Sequence, residues 1–112
     1  MLNITMPRGD IRKVKFDVKD NAGKPRADFT EIYFTVKNNS IQENVLFQKK
    51  LSDSTIVLSE GYYHTQIECE DTDGLSYGNY KFDIELIGDN LKETFVGVLS
   101  ITEEVTFIGN ET

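Results

Sequence analysis

The sequence predicts an all-β protein, a single antiparallel β-sandwich of about eight short strands. Apolar and polar residues alternate at period two in several separate stretches, and clusters of turn-forming residues lie between them. Five Tyr and seven Phe among 112 residues add to this strand-favouring composition. No amphipathic segment of helical length, internal repeat or linker interrupts the pattern. We therefore expect one domain over residues 1–112, with a polar tail at 109–112.

The clearest strand covers residues 80–86. Its apolar side chains, Tyr80, Phe82, Ile84 and Leu86, fall on one face, while charged residues occupy the other. This pattern is typical of a strand with one buried and one hydrated side, as in antiparallel sheets.

A corner is predicted just before that strand. Asp71 and Thr72 can cap a single helical turn that ends at the apolar Leu75. Gly78 then allows the chain to turn into the strand. We expect the neighbouring strands to pack around this corner.

The other strands follow from the same alternation. In chain order they are residues 2–6, 11–18, 31–37, 45–49, 55–58, 62–69, 91–102 and a short last strand at 105–108. The predicted turns and loops are residues 20–25, 38–44, 59–61 and the tight hairpin 88–90. The predicted inward side chains of four strands are Val14, Phe16 and Val18; Ile32, Phe34 and Val36; Tyr63, Thr65, Ile67 and Cys69; and Phe95, Leu99 and Ile101.

The charge argues against several partners. The net charge is −7, with ten Lys/Arg against seven Asp/Glu in residues 1–56 and two against twelve in residues 57–112. A negative chain without an Arg cluster repels phosphate backbones, so we expect no nucleic acid partner. No apolar run approaches the length of a membrane span, and the first residues lack the pattern of a secretory leader, so no membrane partner is expected.

The difference between the two halves suggests a contact between copies. Arg12, Lys13 and Lys15 could form a basic side that meets an acidic region of another copy. That region would contain Glu68, Glu70 and Asp73. Head-to-tail contacts of this kind can close into rings, so a homo-oligomer is possible.

The residues that usually carry chemistry form no complete set. Asp71 and Asp73 match only two positions of a calcium loop, and His64 has no second His or paired Cys with which to bind a metal. The lone Cys69 is expected to be a buried, inert thiol. We therefore expect no cofactor, no metal, no catalytic residue and no enzyme activity.

A contact surface is the remaining possibility for a site. Tyr33 and Tyr62 point outward from their strands, His64 lies beside Tyr62, and Tyr77 precedes the corner glycine. Because Tyr is enriched in interface hot spots, these four residues are the predicted interaction surface.

Two groups of residues carry a family resemblance. They are Gly9, Asp10, residues 16–18, 20–25, Asp28 and 32–37, and then Asp71, Thr72, Leu75, residues 78–86, Thr94, Gly97 and 105–106. The chain resembles the immunoglobulin-like β-sandwich proteins of tailed bacteriophages and prophages, above all the N-terminal domain of baseplate upper proteins and related small tail components. The resemblance implies a virion structural protein, assembled in the host cytoplasm, that docks to other tail or baseplate proteins. The alternative is a carbohydrate-binding or adhesin-type immunoglobulin-like module of a bacterial surface protein.

Overall fold

The computed structural model describes residues 2–20, 22–24, 26–38 and 45–103. The predicted last strand at 105–108, the tail and most of the loop 38–44 lie outside the described residues. Within them the chain forms eight strands and one helical turn: β1 Leu2–Pro7, β2 Arg12–Phe16, β3 Glu31–Lys37, β4 Val45–Lys50, β5 Ile56–Ser59, β6 Tyr62–Ile67, α1 Cys69–Thr72, β7 Gly78–Gly88 and β8 Leu91–Thr102.

The strands form two sheets. The larger has the order β1-β8-β7-β3-β4 and the smaller the order β2-β6-β5. All pairs are antiparallel except β1 with β8, which is parallel. The prediction of an all-β sandwich is thus confirmed, with one parallel pair as a correction. Alternation within a strand identifies its buried face but carries no information about the direction of a partner from the other end of the chain.

The strand order is that of an immunoglobulin-like sandwich. In the immunoglobulin fold strands B, E and D share one sheet, and strands C, F and G share the other, which variable-type domains extend with C′. Strands β2, β6 and β5 occupy the B, E and D places, and β4, β3, β7 and β8 occupy C′, C, F and G.

The core lies between the sheets, as the alternation predicted. Tyr80, Phe82, Ile84 and Leu86 are all buried. The ring centroids of Phe34 and Phe82 are 5.3 Å apart, so the paired strands β3 and β7 also contact each other through side chains in the core. The remaining core residues are Met6, Phe29, Ile32, Val36, Ile56, Tyr63, Ile67, Leu99 and Ile101.

The corner before β7 has the hydrogen bond of a tyrosine corner. The Tyr80 hydroxyl donates to the Ser76 carbonyl oxygen at 2.7 Å, which ties the start of β7 to the preceding loop. In antibody domains the second inter-sheet cysteine follows this tyrosine by two residues. Here that position is Phe82, so aromatic packing replaces the disulfide. Gly78 adopts φ 139°, as expected of the residue that turns the chain into the strand.

The helical turn starts earlier than predicted. It begins at Cys69, so Cys69 is half-buried at a helix start and not a strand residue. Asp71 lies inside the turn, where its Oδ2 accepts a hydrogen bond from the Glu68 backbone N–H at 2.7 Å. This hydrogen bond satisfies a backbone donor ahead of the helix and fixes the start of the helix at that point.

Phe95 is the main error in the predicted core. It lies on the inner side of β8, opposite Ile84, yet it is 45% exposed. Strand β1 pairs with β8 only at residues 97–102, so the inner side near Phe95 borders an open groove. Strand length and alternation could not reveal the exposure of Phe95, because the burial of a side chain at the edge of a sheet depends on where the neighbouring strand ends.

Candidate interaction surfaces

Tyr62 and His64 lie together on the outer face of the smaller sheet. Their ring centroids are 6.4 Å apart in an edge-on arrangement. The Lys15 Nζ lies 4.5 Å from the centroid of the Tyr62 ring, close enough for a cation–π contact. His64 Nε2 is 3.2 Å from the Ser59 carbonyl oxygen. These side chains hold one another on a surface that Lys13 and Gln66 extend along the same pair of strands.

A shallow cavity of about 300 Å³ lies on this face. It is lined by Lys13, Thr55, Val57, His64, Thr65 and Gln66. Lys13 at the cavity and Lys15 over the Tyr62 ring place two positive charges on this face, although the net charge of the chain is −7. The face is therefore suited to contact an acidic partner surface.

Glu68, one of the acidic residues of the proposed contact between copies, is close by. Arg12 is the Cα partner of Ile67, and Glu68 follows directly. Gln66 Nε2 donates to Glu68 Oε1 at 2.8 Å, which links the outer face of the smaller sheet to the residue just before α1. Arg12 and Glu68 are thus near each other along the paired strands of one copy. Self-association stays a prediction.

Tyr77 belongs to a different surface, next to the corner. The Arg8 guanidinium lies over its ring at 4.5 Å and donates to its hydroxyl at 3.1 Å. The same guanidinium donates to the Leu75 carbonyl oxygen at 3.3 Å. This arrangement fastens the end of β1 to the loop before β7.

Tyr33 lies on a third surface, the outer face of the larger sheet. It is half-buried there, with Lys50 and Glu85 as its Cα partners. The four predicted contact residues are therefore spread over three surfaces, and only Tyr62 and His64 come together.

The surface that sequence reasoning missed is the edge of the larger sheet at β8. Its exposed apolar residues are Leu2, Phe95 and Val96, exposed by 47%, 45% and 56%. The sequence held only part of the signal. The predicted strand at 91–102 is much longer than the one at 2–6, but only the tertiary structure shows that β1 is the neighbour of β8 and leaves part of it uncovered.

Burial is the main cause of a raised pKa at two of the described titratable groups, Asp83 and Tyr63. Burial raises the pKa of Asp83 on the outer face of the larger sheet; Glu85 raises it further and Lys37 opposes the change. Burial also raises the pKa of the Tyr63 hydroxyl, which donates to the Arg26 carbonyl oxygen at 2.7 Å. In the part of the chain that the structure describes, no group of three or more His, Cys, Asp or Glu side chains could hold a metal ion. No described helix is long and apolar enough to cross a membrane.

Comparison with known proteins gives information on the fold alone. No protein-family model matches the chain, and no curated protein does. A structure of the endo-beta-1,4-mannanase from Thermotoga petrophila is similar at a TM-score of 0.57 and 14% identity; the match covers 91% of this chain and 18% of the mannanase chain. At that identity the likeness supports the sandwich architecture and says nothing about activity.

Two further solved structures are more distant. One is Tim-1, with a TM-score of 0.43, 11% identity and coverage of 95% of this chain and 96% of that one. The other is Drosophila OTK, extracellular domains 3–5, with a TM-score of 0.36, 17% identity and coverage of 97% and 35%. The virion family stays a prediction.

Proposed function

We propose that the chain is a non-enzymatic structural component of a phage or prophage virion, in the tail or baseplate, and that it acts by docking to other proteins. The resemblance described above supplies the virion context. The observation that carries the docking role is the exposed apolar surface of Leu2 and Phe95, which line one groove at the edge of β8 together with Lys19 and Glu93. Exposed apolar surface rimmed by polar residues marks an interaction site.

The carbohydrate-binding alternative is less well supported. A platform for sugar rings needs neighbouring exposed aromatic side chains. Tyr33, Tyr62 and Tyr77 lie on three different surfaces, so the described residues offer no such platform from this set.

The virion role is tested by mass spectrometry of purified phage particles from the organism that encodes the chain. We expect the chain in a fixed ratio to the major tail proteins, and we expect deletion of its gene to give particles with defective tails or failed adsorption. Intact, infective particles that lack the chain would overturn the proposal. Binding to a glycan array that is lost in Tyr62→Ala or Tyr77→Ala would favour the carbohydrate-binding alternative.

A further inference from the structure

Among the described residues, half of β8 is paired along one edge only. β8 pairs with β7 from Leu91 to Ile101, but on its other side the described β1 pairs only with residues 97–102. In the part of the chain that the structure describes, residues 91–96 have no strand on that side. We call this segment the open edge of β8. An unpaired strand edge presents a row of N–H and C=O groups to solvent and is a template for a further strand.

A groove of about 550 Å³ lies beside the open edge on the inner side of the sheet. Most of its lining is apolar: Leu2, Phe16, Val18, Ile84, Leu86 and Phe95. The charged residues at its rim are Lys15, Asp17, Lys19 and Glu93. Lys19 pairs with Asp17 at 3.3 Å, and Lys15 covers Tyr62, so these rim charges already have partners.

The register of β8 defines what an added strand would place in the groove. Phe95 and Glu93 are the Cα partners of Ile84 and Leu86, whose side chains are buried, so both are on the groove side. Val96 is the partner of Asp83 and lies on the outer face. Residues two apart in an added strand would therefore face Phe95 and Glu93.

A second copy of the chain fits this edge poorly. In antiparallel pairing about a two-fold axis, a centre at Glu93 sets two carboxylates against each other. A centre at Thr94 sets Glu93 against the apolar Phe95. A centre at Phe95 sets Glu93 against Gly97, where Leu2 already pairs. Each of these three registers therefore places Glu93 against a second carboxylate or an apolar side chain, or extends into the part of the edge that β1 already occupies.

We propose that the open edge of β8 binds an extended strand of a partner protein, which carries an apolar side chain opposite Phe95 and a basic side chain opposite Glu93. The added strand forms main-chain hydrogen bonds along residues 91–96, and its apolar side chain fills the groove. The basic side chain matches Glu93, which makes no ion pair within 4 Å among the described residues. The existence of such a partner rests on the proposed docking function.

The parallel pairing of β1 permits a direct test. Because Leu2 is opposite Gly97, residues added upstream in the same direction run along the open edge from Val96 towards Leu91. The test variant carries an added threonine-rich strand with valine opposite Phe95 and lysine opposite Glu93. Attachment supplies a high effective concentration, so a weak strand–strand contact becomes measurable. The matched control has the same added residues shifted by one position, which turns valine and lysine to the outer face.

We expect the in-register extension to raise the midpoint of thermal unfolding by about 4 °C or more above the shifted control. Alternate backbone amides of residues 91–96 should exchange about tenfold more slowly with solvent. Phe95→Lys should remove the gain, whereas Thr94→Lys on the outer face should retain most of it.

Equal midpoints for the in-register and shifted extensions would overturn the inference, even if the chain is found in phage particles. A stable dimer of the unextended chain that Phe95→Lys dissociates would also overturn it, since the edge would then belong to a second copy. If the in-register extension raises the midpoint of thermal unfolding but the chain is absent from phage particles, the strand-binding site at the open edge of β8 stands and only the proposed virion function is overturned.

Discussion

At the scale of single residues, Gly97 is a position where the packing leaves no room for a side chain. A Cβ at this position would overlap the Phe82 ring and lie 2.6 Å from the Leu2 carbonyl oxygen. The absence of a side chain thus allows β1 to approach β8 and the Phe82 ring to fill the space beneath.

Gly97→Ala is expected to lower the free energy of unfolding by about 1–3 kcal/mol, because the new methyl group overpacks this site. Chemical denaturation measures the loss. Gly74→Ala is the matched control: no atom lies within 4 Å of a Cβ there, and a change within about 0.5 kcal/mol is expected. Equal effects at the two positions would show that Gly97 is not a packing constraint.

Asp83 leads to a prediction about pH. Burial, and then Glu85, raise its pKa in the folded state, while Lys37 opposes them. The folded state therefore disfavours the ionised Asp83 carboxylate. The contribution of Asp83 to the free energy of unfolding is fully present below the ordinary pKa of 3.8, and it is lost as the pH rises through the raised pKa of the folded state. Asp83→Asn removes this penalty.

We expect Asp83→Asn to stabilise the protein more at about pH 7 than at about pH 3, as measured by urea unfolding at both values. Asp89→Asn, in the exposed hairpin, serves as the control for the general effect of losing one negative charge. A larger gain at acid pH than at neutral pH would contradict the stated sign.

At the scale of secondary-structure elements, one ion pair connects the larger sheet to the corner helix. Lys49 Nζ on β4 lies 2.7 Å from Asp71 Oδ2 in α1, and the two side chains are only 11% and 14% exposed. The same Asp71 oxygen accepts the Glu68 backbone N–H, so one carboxylate both caps the turn and joins it to a strand.

Lys49→Met is expected to cost about 3 kcal/mol of unfolding free energy, because it leaves the Asp71 carboxylate buried without its cation. A double-mutant cycle with Asp71→Asn measures the coupling between the two side chains. The exposed pair of Lys19 and Asp17, at 51% and 40% exposure, is the control, with a coupling below about 1 kcal/mol. Similar coupling in both pairs would mean that burial does not strengthen the inner pair.

At the scale of the whole molecule, the distribution of charge leads to a prediction about self-association. Glu68 lies next to the strand pair that carries Arg12, Lys13 and Lys15 in the same copy. Because surface ion pairs are also individually weak, we expect at most weak self-association, strengthened as salt is lowered and screening decreases. Light scattering across protein and salt concentration measures it. The double variant Lys13→Glu with Lys15→Glu should abolish the salt-dependent part, and Lys24→Glu in an exposed loop is the control. A strict monomer at about millimolar concentration and low salt would remove docking between copies.

The sequence by itself determined which side chains share a face within each strand. Side chains alternate along a strand, so Tyr80, Phe82, Ile84 and Leu86 had to share a face wherever the strand was placed. Only the tertiary structure decided which strands became neighbours and how far each covers the next. The parallel pairing of β1 with β8, the exposure of Phe95 and the separation of the contact tyrosines all follow from that placement. Contacts between distant segments depend on strand order and length together, and no local pattern encodes them.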